Sequence, residues 1–137
     1  MKVLLMAAAG AMLHMAPAAA EDPIVEIREV IEKYLDGTSE GRPELVEEAF
    51  LPSLEVQWLS EDDALLRRPG PDYISRIEPG VAAPRFGRIV SIDATDKSAM
   101  AKAEIIWNDR IYTDYMLLLK VEGRWRIANK IATWTER

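Results

Sequence analysis

Residues 99–134, AMAKAEIIWNDRIYTDYMLLLKVEGRWRIANKIATW, decide how this chain folds. Apolar and polar side chains alternate with a period of two through the whole stretch. Two short polar breaks, Asn108-Asp109 and Glu122-Gly123, cut it into segments of strand length. If each break is a two-residue hairpin loop, Trp107 faces Arg110 and Val121 faces Arg124. With the segment at 85–94, which connects through Thr95-Asp96-Lys97-Ser98, the C-terminal half reads as four successive antiparallel strands at 85–94, 99–108, 110–121 and 124–134.

The same pairing sorts the side chains by face. Asp114 falls opposite Ala103 on one side and Ile131 on the other. Its face carries Ala99, Ala101, Ile105, Trp107, Tyr112, Met116, Leu118, Trp125, Ile127, Asn129 and Thr133. The reverse face carries Lys102, Glu104, Tyr115, Leu117, Leu119, Arg124, Arg126, Ala128 and Lys130, so the first face is the expected core. A carboxylate there is costly unless it finds a partner, a water or a ligand. The small Ala101 and Ala103 beside it suggest room for something other than protein. A slip of one residue in either turn reverses every assignment.

Upstream the period changes to 3.6. Asp22 caps a helix with Pro23 in its first turn, and Ile24, Ile27, Val30, Ile31, Tyr34 and Leu35 form its apolar stripe until Gly37. Gly41-Arg42-Pro43 starts a second helix, with Leu45, Val46, Ala49 and Phe50 on one face, stopped by Pro52. Leu54, Val56 and Trp58 alternate as a strand, and a second short strand follows at 64–67. Pro69-Gly70-Pro71 opens a third helix bearing Tyr73, Ile74 and Ile77, closed by Pro79-Gly80. Helices first and a meander after make an α+β layout, with helices on one face of the sheet.

The first twenty residues read differently. Lys2, an apolar run over 3–15, and Pro17-Ala18-Ala19-Ala20 ahead of Glu21-Asp22 have the order of a secretory signal peptide cleaved after Ala20. Cleavage leaves one domain, residues 21–137, addressed to the periplasm or the exterior. It removes His14, the only histidine, from a chain that has no cysteine. Imidazole bases, thiol nucleophiles, disulfides and Cys/His metal sites are then unavailable. The formal net charge of −6 argues against nucleic acid or an anionic membrane as partner. Glu61-Asp62-Asp63 lacks the spaced ligands of a calcium loop, and no phosphate-binding or dinucleotide fingerprint occurs, so no metal and no cofactor is expected.

Tyr34-Leu35-Asp36-Gly37 with Ala49-Phe50, and the closing stretches 112–120 and 123–130, resemble the nuclear transport factor 2-like superfamily. The nearest likeness is to its lumazine-binding or polyketide-cyclase-like (SnoaL-like) branch of small bacterial domains. The resemblance implies a cystatin-like cone, a bent antiparallel sheet wrapped around the N-terminal helices, with a pocket at its open end and often a homodimer. It implies no particular reaction. Against the ketosteroid isomerases of that superfamily, Tyr34 matches the phenol donor. The expected carboxylate base falls at or near Trp58, the second acid falls around 112–114, and a histidine common after the second helix's phenylalanine is Leu51.

The expected ligand is small and apolar or aromatic. Tyr34, Asp114 and Asn129 supply polar contacts, and Trp58, Trp107 and Met116 the apolar wall. Arg67, Arg68, Arg85 and Arg88 read as rim charges or as guides for an acidic ligand. Two alternatives stand beside this exported binder. One is a cofactor-free isomerase, cyclase or dehydratase using Asp114 and Tyr34. The other is a non-catalytic dimeric module that pairs through the outer sheet face, where Tyr115, Leu117, Leu119, Ala128 and Trp134 lie. A cavity beside Asp114 separates them: a filled core favours the module, while a second carboxylate or Tyr34 within hydrogen-bond reach favours the enzyme.

Overall fold

The computed structural model describes residues 15–16 and 19–137, so the expected signal peptide lies almost wholly outside the described residues. Asp22 begins the ordered fold as the reading expects. Its carboxylate accepts from the Ile24 amide at 2.9 Å and caps α1 (Pro23–Glu40), with Pro23 at the start. Ile27, Ile31, Tyr34, Leu35 and Thr38 recur on the buried face.

The helix does not end at Gly37, however. It continues a further turn, where Thr38 donates its hydroxyl back to the carbonyls of Tyr34 and Leu35, and closes at Gly41 in the left-handed region, φ 69°. Gly37 serves packing instead: a methyl group there would lie 2.6 Å from Val46 Cγ2 and 2.9 Å from the Arg42 carbonyl. Its bareness lets α2 (Pro43–Ala49) cross close to α1, burying Val46 and Ala49.

One six-stranded sheet carries the rest. Its strands are β1 (Glu55–Leu59), β2 (Leu65–Pro69), β3 (Phe86–Thr95), β4 (Ser98–Trp107), β5 (Arg110–Val121) and β6 (Arg124–Glu136). The order is β2-β1-β6-β5-β4-β3, antiparallel except where β1 lies parallel to β6. A short α3 (Gly70–Ile74) follows β2; Ile77, expected on it, packs against the core from the turn beyond. The β3–β4 connection is tighter than expected, with Thr95 paired to Ser98 across Asp96-Lys97.

Both predicted hairpin registers are observed, Trp107↔Arg110 and Val121↔Arg124, and Asp114 pairs with Ala103. The other neighbour of Asp114 is Ala132, not Ile131, because the β5–β6 register shifts by one between Leu117 and Leu118. Ala128 is the extra residue. A second bulge falls at Val90, between Ile89 and Ser91 of β3. Bulges of this kind bend and coil a sheet, here around the helices.

The bulge at Ala128 exchanges the two faces of β6 partway along it. Before it Trp125 and Ile127 are buried; after it Lys130 is buried and Ala132 and Trp134 are half-buried. Asn129, expected inside, pairs with Leu117 on the outer face, and Ile131 is 50% exposed. Trp134, expected outside, turns inward for the same reason.

Candidate functional site

The inner face is not filled along its whole length. Past the helices, between the far halves of β4, β5 and β6 and the cover formed by β1, β2, α3 and the segment before β3, lies a cavity of about 220 Å³. Its walls are Tyr34, Val56, Trp58, Tyr73, Ile105, Trp107, Tyr112, Ala132 and Trp134. Arg68, Arg85, Asp114 and Lys130 supply its charges. Four of the six expected residues meet here: Tyr34, Trp58, Trp107 and Asp114. Met116 and Asn129 do not line it. Met116 is 1% exposed inside the core, and Asn129 spends its side-chain oxygen on the Lys130 amide. Ala101 and Ala103, expected to border open space, are core residues that do not line the cavity.

Lys130 is the residue that strand alternation assigned to the wrong side. Its Nζ donates to Asp114 Oδ2 at 2.9 Å, and Tyr34 Oη donates to the same oxygen at 2.7 Å. All three side chains are buried, so Asp114 has the partner its burial demands. No described residue donates to Asp114 Oδ1. The Lys130 ammonium also lies over the rings of Tyr34 and Tyr73, at 5.2 and 5.7 Å from their centroids. The one hint in the sequence is compositional: Ala128, Lys130, Ala132 and Trp134 form an alternating set that places a large tryptophan on a nominally wet face.

Protonation follows from these contacts. Burial pushes the Tyr34 phenol well above its ordinary value, and the neighbouring Asp114 charge adds to the effect. Burial is the largest single influence on the Lys130 ammonium and works against it, but the Asp114 carboxylate and the Tyr73 side chain together outweigh that cost and leave its pKa raised. The Tyr34 phenol and the Lys130 ammonium therefore both keep their protons at neutral pH.

An aromatic ladder fixes Tyr34 in place. Its ring sits 5.5 Å from Phe50, which in turn is 5.8 Å from Tyr73. Across the cavity two guanidinium groups lie over tryptophans, Arg85 over Trp107 at 4.3 Å and Arg68 over Trp58 at 4.9 Å. Among the described residues no three His, Cys, Asp or Glu side chains converge as a metal site would require. No described helix is long and apolar enough to cross a membrane.

The bent sheet, the helices laid in its concave face and the cavity at the open end define an NTF2-like protein. Residues 22–133 match the family described as "Putative lumazine-binding", and the chain belongs to that family. An NTF2-like protein of unknown function from Methylobacillus flagellatus is 27% identical, with a TM-score of 0.74 over 88% of this chain and 98% of that one. A second, from Shewanella baltica, is 25% identical with a TM-score of 0.73, over 83% and 94%. A ketosteroid isomerase-like protein from Erwinia carotovora atroseptica is 10% identical with a TM-score of 0.67, over 86% and 100%, a likeness of fold alone. Among curated proteins no match is found.

Proposed function

We propose that this protein binds a small, flat, largely apolar molecule in the cavity of its cone, without transforming it. The observation that carries the proposal is the cavity itself: about 220 Å³, walled by six aromatic side chains, with a buried ion pair at its floor. Drug-sized sites run to roughly 300–1,000 Å³, so this one suits a compound of one or two rings. The family's description makes lumazine, a two-ring heterocycle, the natural first probe.

Saturable quenching of tryptophan fluorescence by lumazine or another one- or two-ring aromatic is the expected result. Ala132→Phe, which fills the cavity, is expected to abolish it while the protein stays folded. If neither titration nor native mass spectrometry of the purified protein finds any occupant, the binding proposal fails.

The enzyme alternative has one observation in its favour, the Tyr34 hydroxyl in hydrogen-bond reach of Asp114. Three features weigh against it. Among the described residues Asp114 is the only carboxylate lining the cavity, and the Tyr34 proton is already donated to it. Neither Tyr34 nor Lys130 gives up a proton near neutral pH, where a general base has to accept and return one.

Export and dimerisation complete the proposal. Export rests on the order of residues 1–20. Dimerisation rests on the outer sheet face, where Met100, Tyr115, Leu117, Leu119 and Ile131 are each at least 43% exposed and adjacent in the ladder. Protein from the native host is expected to begin near Glu21 and to sediment as a dimer. Recovery of Met1, or a monomer at high micromolar concentration, overturns the respective half.

A further inference from the structure

The cavity's charge runs against that of the chain. The protein carries a net −6, yet the residues lining the cavity include three cations and one carboxylate. Lys130 and Asp114 neutralise each other, which leaves Arg68 and Arg85 in excess. Both are half-buried, and neither forms a salt bridge with any described carboxylate. Arg42, Arg88 and Arg110 pair with glutamates, and of the described arginines that form no salt bridge only Arg68 and Arg85 line the cavity. A half-buried guanidinium has lost part of its hydration and gains most from an anion that replaces it.

Their placement is also prepared in advance. Arg85 is held through its backbone, whose N–H donates to the Ser39 hydroxyl at 3.2 Å and whose carbonyl accepts from it at 3.4 Å. Arg68 sits on β2, paired with Val56 of β1. A guanidinium lying over an indole keeps its in-plane N–H groups available for the oxygens of a carboxylate; on Arg85 the Nε–H already donates to the Ala83 carbonyl at 3.4 Å, which leaves its two terminal nitrogens. The same tryptophans, Trp58 and Trp107, offer apolar wall to a flat body.

We infer that the cavity selects a small aromatic or heteroaromatic carboxylate, its ring against the tryptophans and its carboxylate received by Arg85 and Arg68. The inference rests on the proposal that the cavity binds a small molecule, and it adds the ligand's charge.

Matched pairs of one- and two-ring aromatic carboxylates and their primary amides, beginning with benzoate and benzamide, separate the two. Followed by tryptophan fluorescence, the acids are expected to bind roughly tenfold or more tighter than the amides. Arg85→Gln and Arg68→Gln are each expected to remove most of that preference, read as the ratio of acid to amide affinity within each variant. Arg42→Gln, at a paired arginine away from the cavity, leaves the preference unchanged. Melting curves of all three variants check that the fold is kept. Acids and amides binding alike overturn the anionic ligand and leave the binding proposal standing. If no member of either set perturbs the tryptophans in a saturable way, both fall.

Discussion

Asp114→Asn is expected to cost about 3–5 kcal/mol of folding stability, although it preserves the shape of the side chain. Strand alternation alone makes this a tolerated change, since it lacks Lys130. In the folded protein the substitution leaves an ammonium group buried at 3% exposure with its counter-charge gone. The pair need not be net stabilising for this to hold, because the loss comes from orphaning one member. A double variant, Asp114→Leu with Lys130→Met, removes both charges and is expected to recover most of the loss.

The pH dependence gives a sharper signature than the size of the effect. In the wild type the Lys130 and Tyr34 pKa values are both raised. The native state therefore holds these protons beyond the pH at which the unfolded chain, with reference values of about 10, releases them. Their contribution is fully present below about pH 10 and is lost as pH rises through the folded values. In Asp114→Asn burial is no longer offset by a carboxylate and lowers the Lys130 pKa. That variant should gain stability as pH rises from neutral toward about 10, a range over which the wild-type contribution stays level. Urea unfolding at a series of pH values reads both slopes, and parallel curves with under about 1 kcal/mol between them would remove the ion pair from this account.

The second large effect is expected at Gly41, some distance along the chain from the cavity residues. A methyl group there would run into the Val81 carbonyl oxygen and stand 2.7 Å from two other Val81 backbone atoms. The φ of 69° adds about 1–2 kcal/mol for any L side chain. Backbone cannot rotate away as a flexible side chain can, so the 80–85 segment has to move. That segment is tied down by Gly80 N–H to the Gly41 carbonyl at 2.8 Å and by Ala83 N–H to the Ser39 carbonyl at 2.9 Å, and it ends at Arg85. Gly41→Ala is therefore expected to lose about 3 kcal/mol or more and to loosen Arg85 from Trp107. Chemical denaturation with carboxylate titration tests both parts. Wild-type stability in the variant would mean that the contact relaxes freely.

What could be read from the sequence was whatever depends on short-range pattern. The Asp22-Pro23 cap, the α1 stripe and the two hairpins at 108–109 and 122–123 each need only neighbouring residues, and they located the meander and Asp114. Gly37 was misread because a glycine near the end of an apolar stripe resembles a stop, whereas its purpose is set by Val46 on another helix. The bulge was invisible for a related reason. Nothing local marks Ala128, and the register after it brings Lys130 beside Asp114. The cavity was expected beside Ala101 and Ala103, but those alanines are consumed by the core.

Ala128 works on β6 as a frameshift works on a message. Odd-numbered residues are read inward before it and even-numbered ones after it. Ironing the bulge out, so that Ala128 takes a regular place opposite Leu117, would present Asn129, Ile131 and Thr133 where Lys130, Ala132 and Trp134 now stand, replacing a cation, a small side chain and an indole by an amide, an isoleucine and a hydroxyl. The cavity's chemistry is therefore set by the bulge as much as by the residues, since the same sequence in an unbulged strand would line it differently. Any alignment of this strand with a related one that slips a gap by one position across 128 compares lysine with asparagine and misjudges the charge of the site.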